Sequence, residues 1–154
     1  MGFRTMRLNF LTFEFIMARI LVIEDTASVL AGIQKVLAGA GHEVITCSGG
    51  NQGLSYLRQG HIDLVITDIF MAEGDGLEVI RHTRQFSPDT KLIAISGRPA
   101  ETNQFAVACA LGACCTLQKP FSAEGLLKVV ATLLDSYHNA LAPDKAGQGD
   151  RSSR

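Results

Sequence analysis

Residues 19–24 (RILVIE) form a short, nearly continuous apolar run. Such a run suits a strand covered on both faces. Residues 26–39 then switch period, placing Val29, Leu30, Ile33, Val36 and Leu37 on one helical face, and Gly39 and Gly41 close that helix. The alternation repeats along the chain. Strands are predicted at 43–47, 62–67, 91–95 and 114–118, and helices at 51–58, 77–86, 100–111 and from Ser122 onward. Gly60, the Asp75–Gly76 pair and the Ser87–Pro88 pair punctuate these elements. Ser122 is the expected cap of the last helix, with Leu126, Leu127, Val130, Leu133 and Leu134 turned inward.

Five strands alternating with five helices argue for an α/β fold, a parallel sheet with helices on both faces and right-handed crossovers. The flavodoxin-like, doubly wound strand order 2-1-3-4-5 is the common solution for five such units. Glu24, Asp25, Asp68, Ser96 and Lys119 each stand where one of the apolar runs ends. In that order all five converge on the carboxyl edge of the sheet, where open α/β sheets bind their ligands.

Length changes the picture little, since 154 residues suit one domain with a single core. The expected division is an N-terminal extension at 1–17, a folded domain at 18–140 and a disordered polar tail at 141–154. The extension is rich in Phe and Leu without a clean period. Glu14 and Arg19 break its apolar stretch, it is too short to span a bilayer, and no small-residue cleavage site follows. Met17 opens MARILVIED, which reads as a natural start, so residues 1–16 are expected to be a misassigned start or an accessory arm.

A net charge of −1 gives no bulk attraction to nucleic acid or to a membrane. Cys47, Cys109, Cys114 and Cys115 form no C-x-x-C spacing and are read as reduced thiols. His42, His61, His82 and His138 show no metal-ligand spacing and are read as surface residues. Gly49–Gly50 lacks the Lys-Ser/Thr of a phosphate-binding loop, and 68–76 lacks the alternating oxygens of a calcium loop.

Three carboxylates packed together repel unless a cation screens them. Hard oxygen ligands with room for water suit Mg²⁺. A phosphoryl group brought to Asp68 would face that ion on one side and Lys119 on the other, with Ser96 able to bond a phosphoryl oxygen. Phosphoryl transfer asks for positioning and charge neutralisation above all, and Asp68 would be the nucleophile.

The segments ILVIED (20–25), DLVITDIFMAEGDGLEVI (63–80), KLIAISG (91–97) and GACCTLQKPF (112–121) resemble receiver domains of two-component response regulators. The resemblance runs from about Met17 to the last helix. It implies a single-domain, chemotaxis-regulator-like switch in the cytoplasm, with Asp68 as phosphoacceptor and Ser96 and Lys119 as phosphate contacts. It also implies a Mg²⁺ site made by Asp25 directly, Glu24 through water, Asp68, and the backbone carbonyl of Phe70. The implied donor is a sensor histidine kinase or a histidine phosphotransfer protein. The chain would catalyse only its own phosphorylation and dephosphorylation. Its output would be a protein contact through the fourth helix, fifth strand and fifth helix, with no nucleic acid and no membrane involved, as a monomer or weak homodimer.

Three positions depart from the family pattern. Ala72 replaces a usual Pro, Thr116 a usual aromatic, and Cys114–Cys115 residues that are often acidic. Thr116 cannot fill an aromatic's pocket, so the output signal is expected to travel by backbone movement or through another side chain. Phe70 is a candidate shield for the acyl phosphate. The rival readings are a pseudo-receiver that never carries phosphate, a phosphate sink, and a flavodoxin-like cofactor protein. The last has no flavin-stacking aromatics or phosphate loop to support it.

Overall fold

Five parallel strands are laid side by side in an order that only crossover connections can produce. The computed structural model describes residues 2–8, 11–98 and 103–141, with side chains described at Gly2 and over 16–98 and 103–135. The strands are β3 (Arg19–Ile23), β4 (Glu43–Cys47), β5 (Leu64–Asp68), β6 (Lys91–Ser96) and β7 (Cys115–Gln118). Their order is β4-β3-β5-β6-β7, which is 2-1-3-4-5 when the five are counted alone. The helices between and after them are α1 (Ala27–Gly39), α2 (Gly50–Gln59), α3 (Gly76–Phe86), α4 (Gln104–Leu111) and α5 (Ala123–Leu141). The expected start of the fourth helix at 100–102 lies outside the described residues, as does the expected tail beyond Leu141.

The apolar runs are continuous because each strand is buried on both sides. Ile20 and Val22 of β3 face a cluster with Ile33 and Leu37 of α1 and Leu126, Val130 and Leu134 of α5. Leu21 and Ile23, one residue out of phase, join a second cluster with Leu57 of α2, Val79 and Ile80 of α3, and Ala108 of α4. β5 and β6 divide the same way, Ile66 and Ile93 to the first cluster, Val65 and Leu92 to the second. Each fully buried Ile or Leu contributes about 1.5–3 kcal/mol of hydrophobic stabilisation. α1 and α5 therefore cover one face of the sheet, and α2, α3 and α4 the other.

The N-terminal residues carry two strands for which the sequence period gave no signal. Gly2–Leu8 (β1) and Leu11–Met17 (β2) pair antiparallel, with Gly2 opposite Met17 and Leu8 opposite Leu11. The pairing depends on which residue stands opposite which, a cross-strand property that the period of one segment does not carry. This ribbon forms its own two-stranded sheet, and Ile16 packs against the first cluster.

The amino edge of the sheet is tied by polar contacts. Ala18 N–H donates to His42 Nδ1 at 3.2 Å, and Arg19 N–H to Asp63 Oδ2 at 2.8 Å. His61 Nε2 meets Asp63 Oδ1 at 2.6 Å. His42 is thus half-buried rather than a surface residue, and burial pushes its pKa down. His82 also departs from the surface reading, because its Nδ1 atom is buried.

Candidate functional site

The parallel order brings the carboxyl ends of β3, β5, β6 and β7 to one edge. Glu24 and Asp25 follow β3, Asp68 ends β5, Ser96 ends β6, and Lys119 follows β7. Glu24, Asp68 and Ser96 are buried, whereas Asp25 is exposed. Carboxylate oxygens of Glu24, Asp25 and Asp68 all lie within 4.8 Å of one another, the arrangement a cation would need.

Lys119 holds the nest together. Its Nζ donates to Glu24 Oε2 at 2.8 Å and to Asp68 Oδ2 at 3.1 Å. Burial works against the ammonium, but the bonds to Glu24 and Asp68 outweigh it and raise the Lys119 pKa. Burial raises the Glu24 pKa, and the nearby Asp68 charge adds to this; Lys119 and the Thr26 N–H pull the other way. Glu24 also accepts from Thr26 N–H at 3.1 Å, so both of its oxygens are engaged.

Backbone amides orient the other carboxylates. Phe70 N–H donates to Asp68 Oδ1 at 3.2 Å, and Ala72 N–H to Asp25 Oδ2 at 3.1 Å. The second bond stitches the loop after β5 to the loop after β3. Two glycines let this loop pass. Gly74 takes φ +83°, beside Gly50, and a Cβ on Gly76 would overlap the Asp68 carbonyl oxygen. The Asp75 side chain then accepts from Leu77 N–H at 2.9 Å and starts α3.

Ser96 stands on the same edge, and its Oγ accepts from Arg98 N–H at 3.2 Å. Arg98 is the residue that sequence reasoning missed. Its guanidinium carbon sits 3.8 Å from the centroid of the Phe70 ring. Both side chains line a cavity of about 680 Å³ with Ile69, Met71, Leu77 and Gln104. Nothing in the chain's periodicity points to this stack, because Phe70 and Arg98 belong to different loops. Thr116, half-buried on β7, stands where the family's aromatic was expected.

The donor set is all oxygen and suits a hard divalent ion such as Mg²⁺. Glu24 and Asp68 already share the Lys119 ammonium, and the exposed Asp25 is the member most open to an ion from solvent.

Known proteins share this fold. The model of the response regulator receiver domain family matches residues 20–131. The transcriptional regulatory protein DltR of Streptococcus agalactiae is 35% identical over 109 residues, covering 71% of this chain and 48% of DltR. The DNA-binding transcriptional regulator NtrC of Azospirillum brasilense is 34% identical, over 86% of this chain and 28% of NtrC. Among solved structures, a response regulator receiver domain protein from Clostridium thermocellum is 28% identical. It superposes with a TM-score of 0.75, covering 81% of this chain and all of that one (100%). The chemotaxis response regulator CheY4 of Vibrio cholerae is 27% identical with a TM-score of 0.70, over 77% and 99% of the two chains.

A doubly wound sheet with an acidic carboxyl edge defines the class. The chain belongs to the receiver domains of two-component response regulators. It spans about half the length, or less, of the curated relatives described here. Among the described residues no helix is long and apolar enough to cross a membrane.

Proposed function

We propose that this receiver domain is a Mg²⁺-dependent phosphorylation switch with Asp68 as the acceptor. One observation carries the reading: Asp68 Oδ2 lies 3.1 Å from the Lys119 ammonium, inside a nest of three carboxylates. A lone buried carboxylate would not need a lysine and two more acids around it.

Asp25, Glu24 and Asp68, with the Phe70 carbonyl, are the residues that would hold the ion. When bound, the ion neutralises charge on the carboxylates and on the incoming phosphoryl oxygens. The donor is a phosphohistidine of a kinase or phosphotransfer protein. Its N–P bond breaks as an O–P bond forms to an Asp68 carboxylate oxygen. The imidazole keeps the electron pair and takes a proton from solvent. Lys119 then turns part of its charge from Asp68 to the new phosphoryl oxygens, and the Ser96 hydroxyl donates to one of them. Hydrolysis returns the carboxylate when water attacks phosphorus. The domain thus catalyses chemistry only on its own side chain.

The added dianion biases a pre-existing equilibrium of the fold. With Thr116 in place of an aromatic, the signal passes through the β6 and β7 ends and their loops to the α4–β7–α5 face, where the output protein binds.

The test is incubation of the full chain with acetyl phosphate and Mg²⁺, read by intact mass. The wild type gains one phosphoryl group and Asp68→Asn gains none. An unchanged wild-type mass, under conditions that label a control receiver, would favour the pseudo-receiver reading instead.

A further inference from the structure

The far end of the domain carries features that phosphoryl chemistry does not use. α2 begins beside the acidic edge, where Gly50 N–H bonds the Glu73 carbonyl oxygen, and ends at Gln59, next to Gly60 and the Arg19 side chain. The last turns of α2 and α3 therefore meet at the amino edge, away from Asp68. Between them lies a cavity of about 500 Å³ lined by Leu57, Arg58, His82, Phe86 and Ser87.

Three independent observations coincide there. Phe86 is 64% exposed, more than any other large hydrophobic side chain among the described residues. The His82 ring stacks on it at 4.5 Å between centroids, tilted by 43°. His82 Nδ1 is buried without a hydrogen-bond partner, alone among the buried side-chain nitrogens and oxygens of the described residues. Buried polar atoms in native folds are nearly always satisfied, so one left unpaired asks for a partner from elsewhere.

Charge says what kind. Arg58 is exposed and has no ion pair among the described residues. Arg58 and Arg81 both act on the imidazole, against the single negative charge of Glu78. Arg81 is already paired with Glu78, which leaves Arg58 as the uncompensated cation of the cleft. A second copy of this chain is disfavoured, because a twofold contact here would bring a second exposed Arg58 into the same interface.

We propose that the cleft between the ends of α2 and α3 docks an acidic segment of a partner protein. A carboxylate of that segment pairs with Arg58 and takes a hydrogen bond from His82. A neighbouring apolar side chain covers Phe86. Because Nδ1 is closed to solvent, the imidazole turns about its bond to Cβ as the segment docks, which brings that nitrogen to the carboxylate. Because the acidic edge lies at the other end of the sheet, this partner and a phosphodonor can bind together.

The test is an ¹⁵N-resolved NMR titration of the full chain with a synthetic Glu/Leu peptide, and with its Lys/Leu counterpart. The acidic peptide is expected to give saturable shifts at Leu57, Arg58, His82 and Phe86. The Arg58→Glu and Phe86→Ala variants, checked for an unchanged melting temperature, each weaken it by about tenfold or more. The long-range ¹⁵N signal of His82 Nδ1 should move on binding. Equal response to the basic peptide, shifts confined to other faces, or no response at all overturns the proposal. So do concentration-dependent shifts at these residues without peptide, which would mark a self-contact.

Discussion

Asp68 is oriented by its surroundings. One oxygen takes the Phe70 N–H and the other the Lys119 ammonium, so the carboxylate is held before any donor arrives. Phe70 itself lies under Arg98, and its backbone N–H bonds the Asp68 carboxylate. A stack of this kind is worth about 0.5–2 kcal/mol. Phe70→Ala should therefore shorten the lifetime of the acyl phosphate several-fold, up to about tenfold, measured as decay of the phosphorylated mass after donor removal. A lifetime unchanged by the substitution would leave Phe70 an incidental loop aromatic. Gly76 offers a second check. A methyl group there meets the Asp68 carbonyl, so Gly76→Ala should cost about 1–3 kcal/mol in denaturant melts and slow phosphorylation through the displaced carboxylate.

At the scale of elements, the two edges of the sheet respond to different variables. The carboxyl edge gathers the three carboxylates of Glu24, Asp25 and Asp68, a donor set for a divalent ion. Under the proposed function Mg²⁺ would bind the folded state and raise the melting temperature by mass action, a gain of about 2.7 kcal/mol at one hundred times its dissociation constant. Asp25→Asn should remove most of this gain without unfolding the chain. Asp25 is exposed, and an Asn oxygen still accepts the Ala72 N–H. The amino edge responds to protons. His42 accepts the Ala18 N–H while half-buried, and burial lowers its pKa from an unfolded value near 6.5. Below that value the unfolded chain binds more protons than the folded one. The His42 contribution is complete above pH 6.5 and is lost as pH falls beneath it. Urea melts from about pH 7.5 down to about 5.5 should show the loss, and His42→Asn should flatten it.

On the scale of the whole molecule, the fold separates the acidic edge from the proposed docking end by the length of its strands. The proposed phosphorylation site lies where β3, β5, β6 and β7 finish; the α2–α3 cleft lies where they start. The acidic edge was legible in the sequence because its members sit at the ends of apolar runs and hold to a known order. The Phe70–Arg98 stack was not, since two loops far apart in sequence meet only after the sheet forms. The free His82 nitrogen was equally hidden, because burial of a single ring atom depends on how α2 packs on α3. The ribbon of β1 and β2 escaped for a third reason: its pairing is a relation between two segments, neither of which alternates cleanly.

By itself, then, the order of residues determined the alternation of strand and helix, the sidedness of every apolar run, and the five positions that end on one rim. Those are local or periodic properties, and they survive without knowing what packs on what. Tertiary structure alone decided that Lys119 binds both Glu24 and Asp68, that Arg98 covers Phe70, and that His42 is drawn inward while His82 keeps an unpaired nitrogen. Each of these is a contact between distant segments, and distance through space is fixed only when the chain has closed on its core.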